Sequence, residues 1–320
     1  MPYRLTLPQG AANGGAPLIV ALHGCKQTAK SFAVGTRLDE VAAQYGAAVL
    51  YPEQTKAANP SGCWNWFLPE HQRRERGEPA AILRLVEEVS RRHPIDANRI
   101  FVVGLSAGAS MAAILGEQAP DVFAGTGIVA GVALHRSHDV ASAFAAMGAN
   151  DNLQRSTTPV NFKRIGLGNL QPSRLMTAVP VKTPSGLSLF APAVSKDNGL
   201  ASQVAEVSAA PALPPWAYQR LRATIWTGVD DLTVAPANAR ALANQFLTLL
   251  GLPAIPAIAR IGECGATITS WKDAAGKVRV ELWSVPKMGH GWSGGSPKGS
   301  YTFAQGPDAS AHMLQYFLST

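Results

Sequence analysis

Three stretches of the 320-residue chain carry side chains that could do chemistry together: Gly104-Leu105-Ser106-Ala107-Gly108, then Asp230-Asp231, then Met288-Gly289-His290-Gly291-Trp292. A serine hydroxyl is a poor nucleophile at neutral pH and needs an imidazole to take its proton and an acid to orient that imidazole. Ser106, Asp231 and His290 offer these roles in chain order, which is the chemistry of acyl transfer through a covalent intermediate. An aspartate at a strand end also suits a turn, and Asp230 is the alternative acid. The other histidines fit less well. His71, His93, His135, His138 and His312 stand in polar or helical contexts, and His23 precedes the nucleophile.

Acyl transfer also needs backbone N–H groups aimed at the developing oxyanion. Ala107, directly after the serine, supplies one, and the loop His23-Gly24-Cys25-Lys26 supplies the other through the Cys25 amide. Cys63-Trp64-Asn65-Trp66 puts two aromatic rings beside a second cysteine. Core packing is one use of such rings. The other is a wall for an apolar acyl group or polymer, to which Trp64, Trp66 and Trp292 are assigned. A Cys25–Cys63 disulfide is expected to pin that wall to the oxyanion loop, leaving Cys264 as a free thiol.

These groups require a scaffold that ends several strands on one edge. The short apolar runs at 17–22 and 47–51, each stopped by Gly or Pro, read as strands buried on both faces. Residues 100–103 form the strand before Ser106 and 107–118 the helix after it. Helical spacing recurs at 31–45 and at 79–92, where Ile82, Leu83, Val86 and Val89 share a face. Further strands are expected at 125–131, 223–228 and 278–285, with a closing helix at 309–318 and an edge strand at the N-terminus. Strands alternating with helices imply an α/β fold with a mostly parallel sheet, helices on both faces and right-handed crossovers. Between 148 and 215 the periodicity fades into mixed Pro- and Gly-containing sequence. A loop that long is functional or has elements of its own, so 148–215 reads as a lid-like insertion within a single catalytic domain spanning 1–320.

Composition narrows the alternatives. The 28 Lys and Arg against 21 Asp and Glu give a net charge of +7, but the basic residues are scattered without a nucleic-acid reading element. No run approaches the roughly 20 apolar residues of a membrane span, so a soluble protein is expected. No spacing of His, Cys or acids matches a metal site, so neither a metal nor an organic cofactor is expected. The first residues lack the charged and apolar regions of an export signal. Either the protein is cytoplasmic, or an export signal precedes these residues and it is secreted or periplasmic. Oligomeric state is open.

Taken together, the Gly104–Gly108 turn between strand and helix, a nucleophile elbow in form, the His-Gly-Cys loop, Cys-Trp-Asn-Trp and Gly-His-Gly-Trp-Ser-Gly-Gly resemble the esterase family of polyhydroxybutyrate depolymerases and their feruloyl and acetylxylan esterase relatives, within the α/β-hydrolase superfamily. Further matching stretches are Tyr51-Pro52-Glu53-Gln54, Asn59-Pro60, Gly77-Glu78-Pro79 and Ile95-Asp96-Ala97-Asn98-Arg99. The resemblance implies Ser106 as nucleophile, Asp231 as acid, His290 as base and the Cys25 and Ala107 amides as oxyanion donors. It implies a serine esterase of short-chain 3-hydroxyalkanoate polyesters or oligomers. Feruloyl or acetylxylan esterase activity is the nearest alternative, and a catalytically dead binding protein on the same scaffold the more distant one. Two departures stand out. Thr227-Gly228 replaces the family's usual His-Gly before the acid, and 148–215 is longer than the family pattern.

Overall fold

The computed structural model describes residues 1–10, 14–148, 213, 215–256 and 258–318. The continuous apolar runs become the central strands. β2 (Ala16–Leu22), β3 (Ala48–Pro52) and β5 (Gly125–Val129) are buried along their whole length, as is the second half of β4 (Ile95–Leu105). Together with β1 (Tyr3–Thr6), β6 (Arg222–Gly228), β7 (Ile258–Ile261), β8 (Thr267–Lys272) and β9 (Val278–Val285), they form a nine-stranded sheet among the described residues, in the order β1-β3-β2-β4-β5-β6-β9-β8-β7. The six strands from β3 to β9 run parallel, while β1, β8 and β7 pair antiparallel at the two edges.

Because successive strand residues face opposite sides of a sheet, the strands feed two separate cores. Leu18, Val20 and Leu22 of β2 join one, beneath α3 (Gly77–Arg92), α4 (Ala107–Gln118) and α6 (Ala237–Leu249). Ile19 and Ala21 join the other, beneath α1 (Ala29–Thr36), α2 (Leu38–Gln44) and α7 (Ala309–Leu318). A sheet covered on both faces leaves its carboxyl edge for a site, the usual placement in open α/β sheets.

Several expectations shift. The single helix at 31–45 is two, because Arg37 adopts a left-handed conformation (φ 57°) and its N–H closes α1 on Ala33 O. On α3 the fully buried face is Ile82, Leu85, Val86 and Val89, and Leu83 is only partly buried. The antiparallel pair β7–β8, α5 (Val140–Gly148) and α6 were not expected from periodicity. β7 is exposed throughout, so its sequence carries no inward-facing apolar pattern. The insertion assigned to 148–215 falls, from 149 to 212, outside the described residues. Among the described residues, no helix is long and apolar enough to cross a membrane.

Candidate active site

β4 ends at Leu105 and α4 begins at Ala107, so the chain must reverse at Ser106 alone. It does so at φ 57° and ψ −120°, a conformation that costs a non-glycine residue about 1–3 kcal/mol and persists only where its surroundings impose it. The surroundings here are backbone. A Cβ on Gly108 would lie 2.2 Å from Leu22 O, and one on Gly104 would lie 2.3 Å from Gly108 O, so both flanking positions need glycine for strand and helix to approach. Ser106 N–H donates to Val129 O at 2.9 Å, tying the elbow to β5. The half-buried serine thus stands at the N-terminus of α4, where the helix dipole favours negative charge.

The acid and the histidine follow β6 and β9, neighbours in the sheet. Val229 N–H donates to Val285 O (2.9 Å) and Asp230 N–H to Met288 O (3.0 Å), so the two loops are sewn together by backbone. Asp231 is buried. Its Oδ1 accepts N–H bonds from Thr233 (2.8 Å) and Val234 (2.9 Å), and its Oδ2 accepts from His290 Nδ1 at 2.8 Å. Two backbone donors hold one carboxylate oxygen and aim the other at the imidazole. A proton on Nδ1, donated to Asp231, leaves the Nε2 lone pair able to accept one. Asp230 is exposed and makes no side-chain bond to the imidazole, which separates the two aspartates. Ser106 Oγ makes no hydrogen bond to any described group. Catalytic bonds of this kind commonly close only when substrate is bound.

Among the described residues, neither the Ala107 nor the Cys25 N–H donates to any group. The Gly24–Cys25 peptide is held from the other side. Gly24 O accepts from His23 Nδ1 (2.8 Å) and from Gln27 N–H (3.3 Å). In a trans peptide the carbonyl and the following N–H point oppositely, so fixing Gly24 O fixes the direction of the Cys25 N–H. His23 can donate from Nδ1 because its Nε2 accepts the Gln54 N–H at 3.1 Å, and burial holds its pKa below that of an ordinary histidine.

A disulfide joins Cys25 to Cys63, and Lys26 N–H donates to Ser61 O (2.9 Å), binding the 23–26 loop to residues 59–66. That segment is itself anchored by buried Glu78. Its carboxyl accepts the Asn65 N–H (2.8 Å), the Asn65 side-chain amide (2.7 Å) and the Gln54 side-chain amide, and burial pushes its pKa up. His23, Gln27, Gln54, Asn65 and Glu78 were given no role from sequence. Gln54, Asn65 and Glu78 lie within the short stretches that carry the family resemblance, which was the available signal. Cys264 is exposed and unpaired.

The tryptophan wall needs correction. Trp64 and Trp292 are fully buried and Trp66 nearly so. Trp64 Nε1–H donates to His23 O (3.0 Å) and Trp292 Nε1–H to Ser310 Oγ (3.0 Å), while Trp292 packs edge-on to Phe32 and Trp66 edge-on to Phe67. Large rings with a satisfied N–H, as in Trp64 and Trp292, complete the core beneath the loops rather than face a substrate, and Trp66 packs into the same core as Trp64. The exposed apolar side chains beside the dyad are others: Val229 (52% exposed), Leu232 (99%) and Tyr301 (43%), whose ring stands edge-on to His290 at 6.3 Å. A cavity of about 570 Å³ along α7, lined by Trp283, His312 and Tyr316, includes none of these groups. Among the described residues no group of three or more His, Cys, Asp or Glu is placed to share a metal.

The family model described as Esterase PHB depolymerase matches residues 1–162. Poly(3-hydroxyalkanoate) depolymerase C of Paucimonas lemoignei is 30% identical over 277 residues, covering 86% of this chain and 55% of that protein. Feruloyl esterase B of Neurospora crassa is 36% identical over 117 residues, 36% of this chain and 39% of that protein. The solved acetyl xylan esterase from Aspergillus awamori superposes with a TM-score of 0.65 at 18% identity, covering 98% of this chain and 93% of that one, and so shares the α/β-hydrolase fold. The chain spans about half the length of the curated depolymerases it matches. On the strength of the family match, which takes in Ser106, the 23–26 loop and the segment anchored by Glu78, the chain belongs to the esterase PHB depolymerase family.

Proposed function

We propose that this protein is a serine esterase that hydrolyses short-chain 3-hydroxyalkanoate polyesters or their oligomers. One observation carries the reading: buried Asp231, bonded to half-buried His290 at 2.8 Å, stands on the same sheet edge as a strained Ser106 flanked by a helix N-terminal amide that donates to no described group. Ser106 Oγ attacks the ester carbonyl carbon as its proton passes to His290 Nε2. The resulting oxyanion is met by the Cys25 and Ala107 N–H groups, and Asp231 stabilises the imidazolium. His290 returns the proton to the departing alkoxide, leaving an acyl-enzyme. It then takes a proton from water, which attacks the acyl carbon, and Ser106 recovers its own proton as the acid leaves.

The substrate class is supported by the depolymerase relatives and by the apolar side chains of Val229, Leu232 and Tyr301 around the dyad, which suit an ester lacking charge. Feruloyl or acetylxylan esterase activity is the second reading, favoured by the 36% local identity to a feruloyl esterase. The reading of the chain as a single catalytic domain with an insertion at 148–215 rests on the sequence, since 149–212 lie outside the described residues. The Cys25–Cys63 disulfide supports residence in an oxidising compartment, secreted or periplasmic. Rates on a hydroxybutyrate oligomer, methyl ferulate and acetylated xylan test the assignment. The oligomer should be turned over fastest, and a preference for either of the others would reassign the substrate.

A further inference from the structure

We propose that Gln27 is a positioning residue that couples the oxyanion loop to the segment packed beside His290; the proposal rests on the serine-esterase reading. The side chain is 6% exposed and its amide uses both ends. Oε1 accepts the Gly24 N–H at 2.8 Å, which fixes the flip of the amide, since an N–H can meet only the oxygen there. Nε2 therefore faces residues 273 positions further along the chain, donating to Ser300 O at 3.0 Å and to Ser300 Oγ at 3.1 Å.

Both ends are functional ground. On one side, Gln27 also donates its own N–H to Gly24 O, so it grips both polar atoms of Gly24, the residue whose carbonyl sets the direction of the Cys25 amide. Gly24 in turn lies against the nucleophile, where an added Cβ would come within 3.5 Å of Ser106 Cβ. On the other side, Ser300 leads into Tyr301, which holds a left-handed backbone (φ 54°), accepts the Trp292 N–H at 2.7 Å and sets its ring edge-on to His290. Trp292 pairs with Thr302 in a two-residue parallel ladder, so the chain just after His290 is registered against the same segment. One neutral side chain thus spans the two halves of the site that come from opposite ends of the sequence. An amide suits this task because it donates and accepts at once without adding charge next to the developing oxyanion.

The test uses Gln27→Met, which preserves volume and removes both arms, and Gln27→Glu, which keeps the acceptor for Gly24 but as a carboxylate cannot donate to Ser300. Hydrolysis of p-nitrophenyl butyrate and inhibition by phenylboronic acid, a mimic of the tetrahedral intermediate, are measured on the full chain. A small misalignment of reacting groups costs about 10- to 100-fold. Both variants should lose kcat on that scale with KM within about twofold, and Gln27→Met should lose boronate affinity in parallel. Parent kcat in either variant, or a loss confined to KM, overturns the proposal. Ser106→Ala, measured alongside, keeps the two readings apart. If it hydrolyses at the parent rate, the esterase reading fails. Parent kcat in Gln27→Met beside an inactive Ser106→Ala overturns the Gln27 proposal alone.

Discussion

Removing the Cys25–Cys63 bond should cost stability far more than it costs catalysis. The bridge closes a loop of sequence separation 38. In the chain-entropy account, opening a loop of that length returns about 13 cal/mol/K to the unfolded chain, or ~4 kcal/mol at 25 °C. With an unfolding entropy of about 2.1 cal/mol/K per residue, a chain of this length should lose ~6 °C in Tm. The active-site side of the bridge is buffered. The Cys25 amide is still aimed through Gly24 O by His23 and Gln27, and Lys26 N–H still reaches Ser61 O. Residues 59–66 remain anchored on Glu78. The double variant Cys25→Ala/Cys63→Ala should therefore keep kcat on p-nitrophenyl butyrate within about tenfold of the parent, since the proposed oxyanion donor is a backbone group that the substitution retains. Calorimetry and steady-state kinetics on the same preparation decide the matter. An unchanged Tm would refute the entropic role of the bridge. A kcat loss above about 100-fold in folded protein would show that the disulfide, not the hydrogen bonds to Gly24, aims the amide.

Asp231→Asn should lower kcat by about 10⁴-fold by losing the carboxylate that holds the His290 tautomer, while Asp230→Asn should leave it near the parent value. Equal effects in steady-state assays would mean that the acid is misassigned. Trp64→Ala should destabilise the fold by about 3–5 kcal/mol in denaturant titration, because it empties a fully buried site and strands His23 O. Leu232→Ala should leave the denaturation midpoint unchanged and slow polymer turnover more than soluble-ester turnover. Equal loss on both substrates, or on neither, would remove Leu232 from the substrate rim. Burial lowers the folded-state pKa of His23 below its unfolded value of about 6.5, so its contribution to stability is present above that pH and lost as the pH falls toward the folded value. The Tm of the parent should therefore drop more steeply from pH 7 to pH 5 than that of His23→Gln, and parallel curves would contradict this.

What was legible in the sequence was local. Continuous apolar runs stopped by glycine or proline mark β2, β3 and the second half of β4, and the glycines at 104 and 108 announce a close strand-to-helix approach before any coordinate is known. The choice between Asp230 and Asp231 was not settled by local pattern, because it depends on the N–H groups of Thr233 and Val234 and on the pairing of β6 with β9. Tryptophan in a candidate site segment says that a large ring is needed, not which way it points, and Trp64 and Trp292 point inward. The break at Arg37 has no glycine to signal it. Gln27 stayed silent for a similar reason, since its partners on the far side of the site lie 273 residues away.

The central claim is that Ser106 is the nucleophile of an ester hydrolase. Treating the parent protein with a fluorophosphonate and mapping the adduct by peptide mass spectrometry tests it most directly. The account predicts one adduct, on Ser106, accumulating in step with the loss of p-nitrophenyl butyrate hydrolysis. Hydrolysis that disappears with the label on another residue, or folded active protein that takes no label at Ser106, would contradict it.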